Sequence, residues 1–85
     1  VTNMMVRLTK PADKKLNRLP NDVAEKIRGA IRALAADPAS GTQLKCNSDL
    51  WSYRAGRSYR IIYQFSRVEV IVRTIGHRRD VYRSV

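Results

Sequence analysis

The apolar positions of this chain change their period twice. Met5, Val6 and Leu8 form a short apolar run within 3–8 and predict a first strand. From Lys10-Pro11-Ala12-Asp13 to Leu19 the spacing is helical, with Ala12, Leu16 and Leu19 on one face. Pro20 interrupts, because the residue before a proline avoids helical backbone. Asn21 or Asp22 then caps a second helix, whose stripe Val23, Ile27, Ile31 and Leu34 repeats at helical intervals. Gly29 costs that helix about 1 kcal/mol relative to alanine, and Asp37-Pro38 supplies its stop. Residues 39–49 are a polar loop anchored by Leu44. From Leu50 onward the pattern is that of strands, at 50–55, 58–65 and 68–75, closed by Gly76. The order β-α-α-β-β-β predicts an α+β fold: an N-terminal strand, a helical hairpin and a three-stranded antiparallel meander, with the helices packed on one face of the sheet.

Strand parity decides which residues share a face. Tyr59, Ile61, Tyr63 and Phe65 form the core side of the middle strand, matched by Val68, Val70, Val72 and Thr74 on the last. A two-residue Ser66-Arg67 turn pairs Phe65 with Val68 and Ile61 with Val72, although a longer even loop keeps the same parity. Trp51 and Tyr53 join the core face if a three-residue loop, Ala55-Gly56-Arg57, precedes the middle strand, with glycine available for positive φ. The other face then carries Ser52, Arg54, Arg60, Ile62, Gln64, Glu69, Ile71 and Arg73. In this register Arg60 falls opposite Arg73 with Arg54 alongside, an arrangement in which like charges repel. Such a face is either a solvated basic surface or an anion site, with guanidinium groups turned to phosphates.

The 17 Lys and Arg against 7 Asp and Glu leave a net charge of +10 on 85 residues, which form one domain over 1–85. Hydrophobic residues at 44 % are enough for one core and too many for a disordered tail. The charge points to an anionic partner, nucleic acid first and an acidic protein segment second. The basic residues are too dispersed for an amphipathic membrane helix, and no apolar run approaches a membrane span of ~18 residues. The first residues are too short and broken an apolar stretch for a signal peptide, which places the chain in the cytoplasm. One cysteine, Cys46, and one histidine, His77, supply neither a disulfide nor a zinc site, so no metal or small-molecule cofactor is expected. Cys46 reads as a small buried or loop residue with no part in chemistry.

The segment after Gly76, His77-Arg78-Arg79-Asp80-Val81-Tyr82-Arg83, sets an imidazole, three guanidinium groups and a tyrosine at a strand end. The imidazole suits proton transfer, or is structural. The tyrosine either docks the tail on the core or stacks on a nucleobase. No serine triad, glycine-rich phosphate loop or paired carboxylates are present.

The β-α-α-β-β-β order, Tyr59-Arg60-Ile61-Ile62-Tyr63 and Gly76-His77-Arg78-Arg79-Asp80-Val81-Tyr82-Arg83 resemble the RelE toxins of the RelE/ParE toxin–antitoxin superfamily, over nearly the whole chain. The Leu19-Pro20 junction, the helix end at Asp37-Pro38 and the Leu44-Lys45 loop fall where that family has them. The resemblance implies a ribosome-dependent endoribonuclease that cuts mRNA in the ribosomal A site by 2′-OH attack on the adjacent phosphate. It implies a cognate antitoxin, expected to bring an acidic segment, and the ribosome and mRNA as further partners. Carried onto matching positions, Arg60 and Arg78 stabilise the charged phosphorane and Tyr82 stacks on or orients the cut nucleotide. Ser52, Arg54, Arg73, Arg79 and Arg83 become candidate RNA contacts. The pattern departs from the family where lysines are usual: Ser52 and Arg54 stand on the strand before the turn, and neither is a base. His77, where a lysine often precedes the arginine, is the candidate acid or base in their place. Two other outcomes share the resemblance: a ParE-like inhibitor of DNA gyrase, and an inactive RNA- or protein-binding relative.

Overall fold

A computed structural model describes residues 4–45 and 48–84 of the chain, so the expectation for Cys46 lies outside the described residues. Strand β1 (Met5–Leu8) leads to Thr9, whose hydroxyl accepts the Ala12 N–H at 3.4 Å and opens helix α1 (Lys10–Arg18). Pro11 sits in the first turn, where its missing N–H costs nothing. Asp13 in the first turn and Lys15 and Arg18 in the last complement the helix dipole. The helix stops at Leu19, which is extended at φ −79°, ψ 149° ahead of Pro20.

Helix α2 (Asn21–Ala36) begins differently from the sequence expectation. The capping position is Pro20, with no side-chain cap, and Asn21 and Asp22 are already helical. The Pro20 carbonyl accepts the Ala24 N–H at 2.9 Å, and a φ of −55° at the proline sets the entry angle. The buried stripe is Ala24, Ile27, Ile31 and Leu34, while Val23 is half-buried. Asp37 ends the helix as expected.

The remaining strands are β2 (Thr42–Gln43), β3 (Trp51–Ala55), β4 (Tyr59–Phe65) and β5 (Glu69–His77), in the sheet order β1-β5-β4-β3-β2. β1 runs parallel to β5 and the other neighbours are antiparallel. The predicted α+β order is therefore present, with one added strand, since part of the expected polar loop is strand β2. Apolar side chains of both helices and of Ile61, Tyr63, Val70, Val72 and Ile75 make one core on one face of the sheet. Trp51, Tyr63 and Phe65 extend it as an aromatic cluster, with ring centroids 5.3 to 6.5 Å apart.

Three differences in register matter. The β3–β4 loop is Gly56–Ser58, one residue later than predicted, with Gly56 at φ 76° and Ala55 opposite Tyr59, so facial parity is kept. The β4–β5 turn is also one residue later. Ser66 N–H bonds to the Glu69 carbonyl at 2.9 Å, Phe65 faces Val70, and Val68, expected in the core, is 70 % exposed. Ser66 holds that turn by accepting the N–H groups of Val68 and Glu69 on its hydroxyl. Third, a β-bulge lies in β5: Tyr63 pairs with Val72 but Ile62 pairs with Thr74, leaving Arg73 as the extra residue. The later turn already moves Arg73 out of register with Arg60, and the bulge adds one more residue, so the expected opposition of Arg60 and Arg73 is wrong. Arg73 is exposed at the bulge, and Arg60 faces Gly76 on β5 and Arg54 on β3. The strand also runs on through Gly76 to His77 rather than closing at Gly76.

A strap joins α2 to β3 through a 3-10 turn (Pro38–Ser40) and β2. The Tyr63 hydroxyl pins it, donating to the Pro38 carbonyl at 2.6 Å and accepting the Gly41 N–H at 3.2 Å. A Cβ at position 41 would run into that hydroxyl and come within 2.7 Å of the Ser52 carbonyl oxygen, so only glycine lets the strap approach this closely. Burial, and to a lesser degree the charge of Asp37, push the Tyr63 phenol up to about 12, against a smaller opposing pull from the Gly41 N–H. A phenol whose pKa is raised by folding contributes stability below its unfolded value near 10 and loses it as pH rises through 12. The protein is accordingly expected to lose on the order of 2–3 kcal/mol between pH 10 and 12. Denaturant melts across that window, with tyrosinate absorbance followed in parallel, check this. Tyr63→Phe should flatten the dependence, and an equal loss in that variant would assign it to other groups.

Candidate functional site

The face of the sheet away from the helices is not bare. The chain turns back after His77, and a 3-10 turn (Val81–Ser84) crosses that face with Val81 only 1 % exposed. Val81 packs over Gly76, where even an added Cβ would meet the Val81 Cβ at an ordinary contact distance of 3.4 Å. Tyr82 reaches Ser52, their hydroxyl oxygens 2.8 Å apart. Ile62, which pairs with Ser52 on one side and Thr74 on the other, is fully buried beneath, although sequence parity assigned it to an open face.

Between this tail and the strap lies a groove of ≈ 580 Å³, lined by Gly41, Thr42, Ser52, Arg54, Arg60 and Tyr82 among others. Its floor is the directly paired Arg54 and Arg60 on β3 and β4. Arg54 is exposed and Arg60 half-buried, with Arg60 Nη1 donating to the Tyr59 carbonyl at 3.0 Å. None of the groove-lining residues is acidic. Among the described residues, carboxylates pair with Arg7, Arg28 and Arg83 instead. Two guanidinium groups opposed across a ladder repel each other, and an anion bridging them relieves that repulsion.

The sequence-predicted residues separate into three groups. Ser52, Arg54, Arg60 and Tyr82 meet in the groove. Arg78, Arg79 and Arg83 are exposed on the segment after β5 and are not among the groove-lining residues; the Arg78 N–H bonds to the Ser58 carbonyl at 2.6 Å and Arg83 lies 3.9 Å from Asp80. Arg73 and His77 stand apart. Arg73 is at the bulge, and its carbonyl accepts the Thr9 hydroxyl. His77 pairs with Tyr59, on the helix side of the sheet, with the two rings edge to face at 6.0 Å. Its Nδ1 accepts the Arg79 N–H at 3.2 Å. The bulge causes this separation, because one extra residue in β5 exchanges the faces of every position after it. Gly76 then lies opposite Arg60 and His77 turns away.

Sequence reasoning missed the strap as a wall of the groove. Gly41, between a helix stop and the Leu44 anchor, was its available signal. Among the described residues no group of three His, Cys, Asp or Glu side chains could hold a metal ion, and no helix is long and apolar enough to cross a membrane.

A profile of the family described as "ParE toxin of type II toxin-antitoxin system, parDE" matches residues 6–82. No curated protein matches the chain. Among solved structures, the toxin–antitoxin complex RelBE2 from Mycobacterium tuberculosis is similar at a TM-score of 0.81 and 24 % identity, over 92 % of this chain and 94 % of that one. The intact E. coli RelBE toxin–antitoxin complex is similar at 0.77 and 22 %, over 87 % and 95 %. The YoeB/ParE toxin from Agrobacterium tumefaciens is similar at 0.72 and 23 %, over 87 % and 98 %. At these identities the likeness is one of fold.

Proposed function

The chain belongs to the ParE toxin family of type II toxin–antitoxin systems, within the RelE/ParE superfamily, and from that premise we propose that it is a ribosome-dependent mRNA endoribonuclease. The observation that carries the reading is the arginine pair on the groove floor beside an aromatic ring, a setting for one phosphate and one base. In the proposed reaction the ribose 2′-OH attacks its neighbouring phosphorus and the P–O5′ bond breaks, with the 2′-OH proton lost to water and the departing O5′ taking one from water, leaving a 2′,3′-cyclic phosphate and a free 5′-OH. Charge builds on the non-bridging oxygens, and guanidinium donors set beforehand around them lower the barrier. Arg60 takes this role from the groove floor and Arg78 from the exposed segment after β5, with Arg54 as a second contact to the same phosphate. Tyr82 stacks on the base, while Arg79, Arg83 and the more distant Arg73 attract the flanking backbone. His77 is left out of the reacting set, because the Tyr59 ring beside it lies on the other side of the sheet. Neither Ser52 nor Arg54 is a base at neutral pH, so the set supplies charge stabilisation, and alignment of the 2′-OH falls to the ribosome.

The family profile carries the ParE name, and this favours one second reading, a gyrase inhibitor in which the groove cuts nothing. Primer extension on cellular mRNA after brief induction separates the two. Cuts at codon positions support the nuclease, and supercoiling defects without cuts support the inhibitor.

The RelBE complexes among the similar structures, together with the net charge of +10, support a cognate antitoxin with an acidic segment in a shared cytoplasm. Co-purification from the native operon is expected to recover such a partner. Recovery of the free chain alone would count against it.

A further inference from the structure

We infer that Ser52 does not contact RNA but is a positioning residue for Tyr82, holding the ring as a fixed wall on which one nucleobase stacks. The identity of the ligand rests on the nuclease reading above; the positioning itself does not. Among the described residues Ser52 and Thr74 are the buried polar ones, Ser52 at 9 % exposure. It pairs with Thr42 on one side and Ile62 on the other, and its carbonyl is packed against Gly41. Tyr82, by contrast, belongs to a four-residue turn near the chain end, of the kind that frays unless tied down. It is tied at two points. Val81 is buried against Gly76 and fixes the backbone, while the Ser52 hydroxyl, 2.8 Å from the phenol oxygen, fixes the far end of the ring.

A ring held at both ends pays little ordering entropy when a base arrives. Tyr82 remains 42 % exposed, so the bond to Ser52 leaves part of the side chain open to a ligand. Serine suits the task because its hydroxyl both donates and accepts, whichever oxygen gives the proton. With its phenol oxygen bonded to Ser52, the part of Tyr82 left for a base is its aromatic face. This also accounts for an uncharged residue at a position where the resemblance leads one to expect lysine.

The test uses ribosomes programmed with an A-site codon that contains 2-aminopurine, blocked against cleavage by 2′-O-methyl groups. Stacking on Tyr82 quenches the fluorescence. The parent protein is expected to quench, and Tyr82→Ala to abolish quenching. Ser52→Ala and Tyr82→Phe should each lower the stacked-to-unstacked ratio by roughly two- to tenfold, the effect of one hydrogen bond. Because both remove the same bond, the double variant should be no worse than the weaker single. Ser52→Thr, which keeps the hydroxyl, should restore quenching; circular dichroism confirms folding of each variant. Parent-like quenching by Ser52→Ala or multiplied losses in the double variant would overturn the positioning role, and no quenching by the parent would overturn the base-stacking wall together with the nuclease reading it rests on. If quenching follows this pattern but unblocked mRNA stays intact, the nuclease reading fails and the positioning role stands. If the parent cleaves and Ser52→Ala stacks normally, the reverse holds.

Discussion

Arg60→Ala is expected to lower ribosome-programmed mRNA cleavage by a factor on the order of 10²–10³, the usual consequence of deleting one preorganised charge-stabilising donor. Its fold should survive. Arg60 is only half-buried, and among the described residues its guanidinium hydrogen-bonds the neighbouring Tyr59 carbonyl. It also faces Arg54 directly, and like charges opposed on a sheet cost roughly 0.2–1 kcal/mol, so the variant should melt at or slightly above the parent temperature. Arg73→Ala is the control. It removes the same charge from the bulge, outside the groove, and should change cleavage far less. Cleavage kinetics beside thermal melts read both quantities. Full activity of Arg60→Ala, or its failure to fold, would remove the arginine pair from the mechanism.

Tyr82→Ala is expected to lower cleavage by roughly 5- to 150-fold, since base–aromatic stacking is worth about 1–3 kcal/mol. Arg78→Ala should be impaired to a comparable or greater degree through loss of a phosphate contact. Both should leave the tail in place, because Val81, not Tyr82 or Arg78, is the residue it buries. The same assay with circular dichroism decides the matter. Parent-rate cutting by both variants would put the active site elsewhere. His77→Ala should leave the pH–rate profile near neutrality unchanged, in keeping with its place beside Tyr59. A flattened profile would return His77 to the reaction as acid or base.

The elements were legible in the sequence because each one declares itself locally. Leu19-Pro20 and Asp37-Pro38 break helices wherever they occur, and Ala12 with Leu16 or Ile27 with Ile31 mark a buried stripe without reference to any other element. Alternation in Tyr59, Ile61 and Tyr63 likewise identified the core face of β4, and with it the placing of Ser52, Arg54 and Arg60 together on the other side. Gly56 as the positive-φ residue of the first hairpin followed from turn chemistry alone.

Cross-strand placement was not local, and there the sequence was insufficient. Whether Arg60 faces Arg73 or Gly76 depends on where the β4–β5 turn falls and on one extra residue in β5, and no residue type there requires a bulge. The bulge turns His77 to the helix side and, together with the later turn, sets Gly76 opposite Arg60 and beneath Val81. The strap against Tyr63, the burial of Ile62 and the Ser52–Tyr82 bond each join residues between 22 and 30 positions apart or depend on the returning tail. Periodicity in a chain records which side of its own element a residue occupies. Which residue of another element it meets is settled by register, and register is a property of the packed sheet.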